Sequence, residues 1–501
     1  MQFNTMTFIY VFLPVVLFLY LVSKKELRNS ILLFASIVFF ACLDIKCLAI
    51  MLLTIIVNYY GALVIESNPA KKKTVLFLTL FANLGCLVSF KYCNFFVDNS
   101  NLLLHTNFET FKFVVPFGIS IYTLQAISYV VDVYREKCNA QKDIYKLALY
   151  ISMFPQLVGG PIIKYHDFEN QFEEKGIKLS AVTPVKSKSN GGLIVSTPLL
   201  MGSNAQNVVS DNTIYRDVNF ENVTLGVKRF IIGLAKVVLL AGAMATVTGK
   251  IFVQDVHNLS HLVAWIGMFA AGLQFYFKFA GIADMAIGLG LIFGFKFMEN
   301  FNYPYVAKSI SEFWERWNIS LTTWFKEYFY EPICGENASV TKRLYVVATS
   351  LALIGFWYGA KWTFLIWGVW NALFVVAEKK FNFAEIVQKN SNKGLNILFH
   401  VYCLLVLGFG WIIFKSGSTN YAIDYILNMF MILPVKSEDI LYTVPYYLDI
   451  YHFIMFVMAI VCSTPLLKNV LKTDTMSKKI GVNIGLLLLF ALSTITIVAS
   501  L

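Results

Sequence analysis

The sequence predicts an all-α polytopic membrane protein: a helical bundle of about twelve transmembrane spans with shorter re-entrant or broken helices. Three observations predict it. Of 501 residues, 57% are hydrophobic and 14% charged, against about 25% charged in an ordinary soluble domain. Apolar runs recur along the chain and are continuous rather than alternating. Lipid admits only helices and closed barrels, and continuous runs select helices. Proline, glycine and polar residues interrupt some runs at membrane depth, where irregular backbone is tolerated only if it is buried in protein or lines a cavity.

The elements follow in order. Residues 6–22 form an apolar run without a basic leader or small-residue cleavage site, so it is expected to be a retained helix rather than a signal peptide. A basic loop at Lys24, Lys25 and Arg28 follows, then a run at 31–43, a nearly neutral loop at Asp44 and Lys46, a run at 48–65, and a basic loop at Lys71, Lys72 and Lys73. The alternation basic, neutral, basic places the first and third loops in the cytoplasm and the N-terminus outside. A run at 75–96 and a polar outer loop complete an N-terminal unit, residues 1–110.

Residues 111–380 form the predicted core. The segment 115–129 contains Pro116, Gly118, Ser120, Gln125 and Ser128 in an apolar setting and is closed by Asp132, Tyr134 and Arg135. A kinked helix satisfied by its neighbours fits it. Phe154-Pro155-Gln156-Leu157-Val158-Gly159-Gly160-Pro161-Ile162 is too broken for an ordinary span; an interhelical turn and a cavity-lining piece remain open for it. A polar insert, about 175–222, has loop composition. A helix opens at 226–236. In the run 275–290, Gly281, Gly288 and Gly290 permit close helix contact, and Asp284 is a lone intramembrane acid expected to be structural. Residues 381–501 hold three or four further C-terminal apolar runs.

Charge excludes some functions. The formal net charge of +11 sits in short loops rather than in one stripe, which the positive-inside rule explains; membrane lipid, not nucleic acid, is the expected surroundings. The eight cysteines are scattered and support neither a disulfide framework nor a zinc site, and no metal is expected. The sequence contains no G-x-S-x-G elbow, P-loop or strand-borne G-x-G-x-x-G.

Residues 311–378 carry the strongest functional signal. Most of the tryptophans fall here, among Glu312, Glu315, Arg316, Lys326 and Glu327. An interfacial aromatic belt accounts for the rings but not for the charges. The stretch includes Glu312-Phe313-Trp314-Glu315-Arg316-Trp317-Asn318-Ile319-Ser320-Leu321, then Gly355-Phe356-Trp357-Tyr358-Gly359-Ala360 and Trp367-Gly368-Val369-Trp370-Asn371.

These motifs resemble the membrane-bound O-acyltransferase (MBOAT) family, in particular the bacterial branch that acetylates exported polysaccharides such as alginate. That branch reads approximately Glu-Phe-Trp-Arg-Arg-Trp-His-Ile-Ser-Leu and Gly-Leu-Trp-His-Gly-Ala…Trp-Gly-Leu-Tyr-His-Gly. Segments 116–129, 154–164, 226–236 and 275–290 are similar to it as well, with Lys278 where the family usually has Asp. The family's histidines fall on Asn318, Tyr358 and Asn371.

The resemblance implies an MBOAT-like bundle with a tunnel joining donor and acceptor sides, and acetyl-CoA as acyl donor. It also implies an extracytoplasmic esterase-like acetyltransferase or a polysaccharide synthase as partner, and a bacterial cytoplasmic membrane location. Asn371 and Asn318 occupy the catalytic positions, with Trp317, Ser320, Glu327, Tyr328, Trp357, Tyr358, Trp367 and Asp284 as tunnel or supporting residues. An amide cannot take a proton near neutral pH, and loss of a general base costs about 10² to 10⁴ in rate. Glu312, Glu315 or Glu327 could replace the base if desolvated. His105, His166, His257, His261, His400 and His452 lie outside the motifs and are expected to be loop or core residues. Three functions stay open: a catalytically impaired scaffold or acyl-CoA-binding protein of an envelope polysaccharide-modification or export system, an active O-acetyltransferase with a non-standard base, and a transporter or channel.

Overall fold

The structure, a computed structural model, describes residues 2–43, 45–111, 115–172, 216–435, 440, 442–466 and 476–499. The polar insert expected at 175–222 lies outside the described residues as far as 215. Among the described residues the chain is helical and no strand forms; an isolated antiparallel bridge pairs Phe301 with Trp317.

Among the described residues seven helices are long and apolar enough to cross a membrane: Ile45–Ser67, Lys72–Lys91, Phe220–Ile251, His261–Ile292, Val340–Tyr358, Lys393–Lys415 and Ile480–Ala499. Two shorter apolar helices, Phe8–Val22 and Ile450–Cys462, join them. These do not amount to the twelve or so spans expected. Apolar runs counted as spans in the sequence fold into shorter pieces: Arg28–Ala41 has 14 residues and Ile119–Tyr134 has 16. At 1.5 Å per residue neither reaches the hydrocarbon thickness of about 30 Å.

His261–Ile292 is the central and most buried span. It packs against Phe220–Ala235 through matched glycines. A Cβ at Gly226 would lie 2.5 Å from the Gly288 carbonyl oxygen, and one at Gly233 would lie 2.6 Å from that of Gly281. Backbone-to-backbone contact of this kind is how helices associate where lipid removes the hydrophobic drive.

Val340–Tyr358 and Trp362–Lys380 form a tight helical hairpin. A Cβ at Gly355 would fall 2.8 Å from the Gly368 Cα, and one at Gly368 would fall 2.5 Å from the Leu351 carbonyl. Gly368→Val is therefore expected to abolish most of the monodisperse folded protein in detergent. Gly485→Val, where nothing lies within 4 Å, should leave yield and thermal midpoint unchanged. Equal size-exclusion profiles for the two variants would refute this account of the hairpin.

Candidate functional site

The aromatic stretch positions the site by a break in a helix. Ile310–Arg316 begins with Ser309, whose hydroxyl accepts from Glu312 N at 3.0 Å, while Glu312 Oε2 reaches back to Lys308 N at 2.9 Å, a close variant of the capping box. Buried Glu378 adds its carboxylate at the same end, accepting from Ile310 N at 2.7 Å and Ser311 N at 2.8 Å, where an anion meets the positive end of the helix. The helix stops at Trp317, and Asn318 turns left-handed with φ +46° before Ile319–Phe325 restarts. Asn adopts this conformation more readily than most residues because its short polar side chain tolerates it.

That break places Asn318 on a cavity of about 600 Å³, within the range of small-molecule sites. The residues lining it come from distant parts of the chain. Lys91 ends one span, Gly118 and Ser120 open the Ile119–Tyr134 helix, and Gly159 and Gly160 belong to the broken segment. Lys278 and Phe279 lie mid-span, and Trp357 and Tyr358 close the hairpin helix. Gly159, at φ +126°, could not carry a side chain without strain, and a Cβ there would meet Ile282 at 2.9 Å. Of the two readings left open for 154–162, the cavity-lining one is the observed arrangement.

The Tyr358 hydroxyl oxygen accepts two hydrogen bonds, from Asn318 Nδ2 at 2.8 Å and from Trp317 Nε1 at 3.3 Å. Its ring is edge-on to Trp367 at 5.6 Å between centroids and to Phe279 at 5.7 Å. Trp357 donates from Nε1 to the Ser120 carbonyl at 3.3 Å. Ser320 braces the floor without lining the cavity: its Oγ donates to Asn300 Oδ1 at 2.9 Å and accepts from Ile162 N at 2.9 Å. Among the described residues no histidine and no carboxylate lines the cavity.

A second polar cluster lies at the far end of the same two segments. Ile119–Tyr134 and the helical chain from Ile319 to Tyr330 run side by side, joined midway by Trp324 Nε1 donating to the Leu124 carbonyl at 2.9 Å. At their distal ends the Tyr328 hydroxyl donates to fully buried Asp132 at 2.8 Å, and His166 Nδ1 lies 2.8 Å from the same carboxylate. Glu327 pairs with Lys137 and, at 2.9 Å, with Lys164.

Asp132, His166 and Glu327 bring possible metal-ligand atoms within 4.8 Å of one another. Ammonium, imidazole and phenol hydrogens already engage those carboxylates, so the group is an ion-pair lock rather than a vacant ligand set. Burial would raise the Glu327 carboxyl, but the charges and hydrogen bonds of Lys164 and Lys137 outweigh it and hold the group below its usual range.

Burial lowers the His166 imidazole, yet hydrogen bonds and charge from Asp132 and Asp167 win and raise it to about 9. The folded value lies above the ordinary 6.5, so the stability from this contact is complete below about 6.5 and is lost as pH rises through about 9. The thermal midpoint of the protein should fall between pH 7 and 10 by more than that of His166→Gln. Parallel profiles for the two proteins would contradict it.

The comparisons with known proteins identify the frame. The model of the membrane-bound O-acyltransferase family (MBOAT) matches residues 136–414, more than half of the chain. The chain belongs to the MBOAT family.

It is 32% identical over 430 residues to the probable alginate O-acetylase AlgI of Azotobacter vinelandii, covering 84% of this chain and 76% of that protein. It is 31% identical over 462 residues to the peptidoglycan O-acetyltransferase of Helicobacter pylori, covering 85% and 79%. A more distant relative, the teichoic acid D-alanyltransferase of Bacillus subtilis, is 24% identical over 322 residues, covering 61% and 69%.

Within this MBOAT protein the structure brings some sequence-selected residues together and separates others. Asn318, Tyr358 and Trp357 line the cavity, with Trp317 directly behind. Asn371, expected to face a tunnel, does not line the cavity. It is buried, its Oδ1 accepting from Trp314 Nε1 at 3.2 Å and its Nδ2 donating to the Trp367 carbonyl one turn earlier at 2.8 Å. Trp367 is likewise buried one layer back, packed on Trp314 and Trp411.

Asp284 is not the lone acid expected. Arg229 Nη2 lies at 2.7 Å and Lys236 Nζ at 2.6 Å from its two oxygens, and Arg229 also pairs with Glu299. Glu327 and Tyr328 belong to the distal cluster, which removes Glu327 as a substitute base at the cavity; Glu312 pairs with Arg316 at 2.9 Å. His166 is a partly buried strut. Lys91, at the end of an apolar run, and Phe414, from the C-terminal helices, line the cavity without having been singled out; an intramembrane lysine was the available signal for the first.

Proposed function

We propose that this MBOAT protein works in O-acetylation or export of a cell-envelope polysaccharide as a binding or scaffold component whose own transfer chemistry is impaired. One observation carries the reading: among the described residues no imidazole or carboxylate lines the cavity, and an amide and a phenol stand there at Asn318 and Tyr358, where the resemblance puts family histidines. Acyl transfer to a hydroxyl needs a proton acceptor near neutral pH, and neither Asn nor a protonated Tyr supplies one. The relatives named for alginate, peptidoglycan and teichoic acid support an envelope glycan as the setting.

Acetyl-CoA is the proposed ligand, and an extracytoplasmic esterase-like protein or a polysaccharide synthase the proposed partner. Calorimetry on the purified chain should detect acetyl-CoA between micromolar and millimolar Kd, about −8 to −4 kcal/mol, while acetyl release to water or glycan stays at background. Rapid transfer by the unmodified chain would overturn the reading. A second reading, transfer by a non-standard group, is favoured by the Tyr358 hydroxyl with its two N–H donors, and that same assay decides it.

The proposed location is the bacterial cytoplasmic membrane with the N-terminus outside. Lys72 and Lys91 end one 20-residue helix, about 30 Å apart; a cytoplasmic Lys72 therefore puts the cavity near the outer face. A cysteine placed at Lys72 should react with an impermeant maleimide only after the inner face is exposed. Labelling in intact cells would reverse the orientation.

A further inference from the structure

Several cations elsewhere in this protein are matched by acids. Lys236 and Arg229 share Asp284, and Lys164 and Lys137 share Glu327. The cavity departs from this pattern. Lys91 and Lys278 line it, and Lys415 is close enough to feel the charge of Lys278. The partners of these lysines are neutral. Lys91 donates to Ser120 Oγ at 2.8 Å and to the Trp357 carbonyl, and lies over the Trp357 ring at 5.3 Å. Lys415 donates to Gln274 Oε1 at 3.2 Å and lies over Phe275 at 5.8 Å. Lys278 has no ion-pair partner among the described residues.

An uncompensated ammonium within membrane helices is costly, and it persists where a water-filled cavity or a ligand completes the charge. Two of them line one cavity, a third lies close behind, and no acid lines it among the described residues. We propose that the cavity binds its ligand through an anionic group, a carboxylate or phosphate, seated on Lys278 and Lys91. The uncharged part of the ligand would lie against Phe279, Phe301 and Trp357. Lys415 adds attraction from the second layer. The inference goes beyond the reading above and holds whether or not the chain transfers acyl groups.

The test uses the full chain in phosphatidylcholine nanodiscs at low salt, titrated calorimetrically with inorganic phosphate, D-glucuronate and, as neutral counterpart, D-glucose. Phosphate and glucuronate should bind and glucose should not. Lys278→Gln should weaken the anions at least about tenfold and Lys278→Asp should abolish them, since reversing a contact charge turns attraction into repulsion. Thermal midpoints establish that each variant is folded; should Lys278→Asp fail to fold, Lys278→Gln and Lys415→Gln carry the comparison.

Repeating the titration in phosphatidylglycerol nanodiscs separates the sources. A drop of at least about tenfold in apparent anion affinity identifies a lipid headgroup as occupant, and no change identifies a soluble ligand. Equal heats for glucose and glucuronate, or unchanged anion affinity in folded Lys278→Gln and Lys415→Gln, would overturn the proposal. Acetyl-CoA binding and transfer are measured apart from these titrations, so a negative result here leaves the reading of the previous section standing.

Discussion

Combining Asn318→His, Tyr358→His and Asn371→His is expected to raise acetyl transfer from acetyl-CoA by at least about a hundredfold over the unmodified chain, the low end of what a general base supplies. Asn371→His alone should gain less than about tenfold. The difference comes from the layering of the site. Asn371 sits behind Trp367 and Trp314, its amide engaged on both sides, and the Tyr358 ring stands in front of Trp367 at 5.6 Å. A histidine placed only at the rear has no route to a substrate in the cavity. Replacing the phenol by the smaller imidazole opens that route, so the gains should be strongly non-additive, as for residues that act as a unit. A folded triple variant that binds acetyl-CoA and transfers no faster than the unmodified chain would show that more than the histidines is missing. A full gain from Asn371→His alone would show that the rear position is already reached.

Asp284→Ala should cost about 3–5 kcal/mol of stability, the range for removing one partner of a buried charge set. The loss leaves Lys236 without a counter-charge and Arg229 with Glu299 alone. The double variant Asp284→Ala/Lys236→Met should recover most of it, since a pair removed together leaves no orphan charge. Thermal denaturation in one detergent, read by intrinsic tryptophan fluorescence, would measure both. An Asp284→Ala midpoint equal to that of the unmodified protein would mean that the network carries little of the fold.

Much of this arrangement was legible in the sequence, for identifiable reasons. Composition and continuous apolar runs dictate helices in lipid, and the glycines at 281 and 288 announced a close crossing that the Gly233 and Gly226 contacts realise. The Pro/Gly-broken segment 154–162 signalled irregular backbone, with a turn and a cavity-lining piece both open until the structure placed Gly159 and Gly160 on the cavity. Pairings between distant segments were not legible. Asp284 resembled a solitary acid because Arg229 and Lys236 lie 55 and 48 residues away, and no periodicity connects them. Asn371 was expected at the site because the resemblance puts a family histidine there, on the Trp367 face by i, i+4 spacing. That spacing holds, but the shared face is turned into the tryptophan layer rather than toward the cavity. Lys91 escaped notice because its meaning depends on the Trp357 carbonyl, 266 residues away.

The left-handed turn at Asn318 bears on how reversible the present state of the site is. At φ +46° the backbone tolerates few side chains, and Asn and His are both among those enriched there. Exchanging one for the other leaves the helix break, and with it the shape of the pocket, untouched. The codons for Asn and Tyr each differ from those for His at a single base, so all three positions lie one point mutation from an imidazole. On the proposed reading of an impaired site, a lineage could therefore restore the imidazole at position 318 without disturbing the helix break.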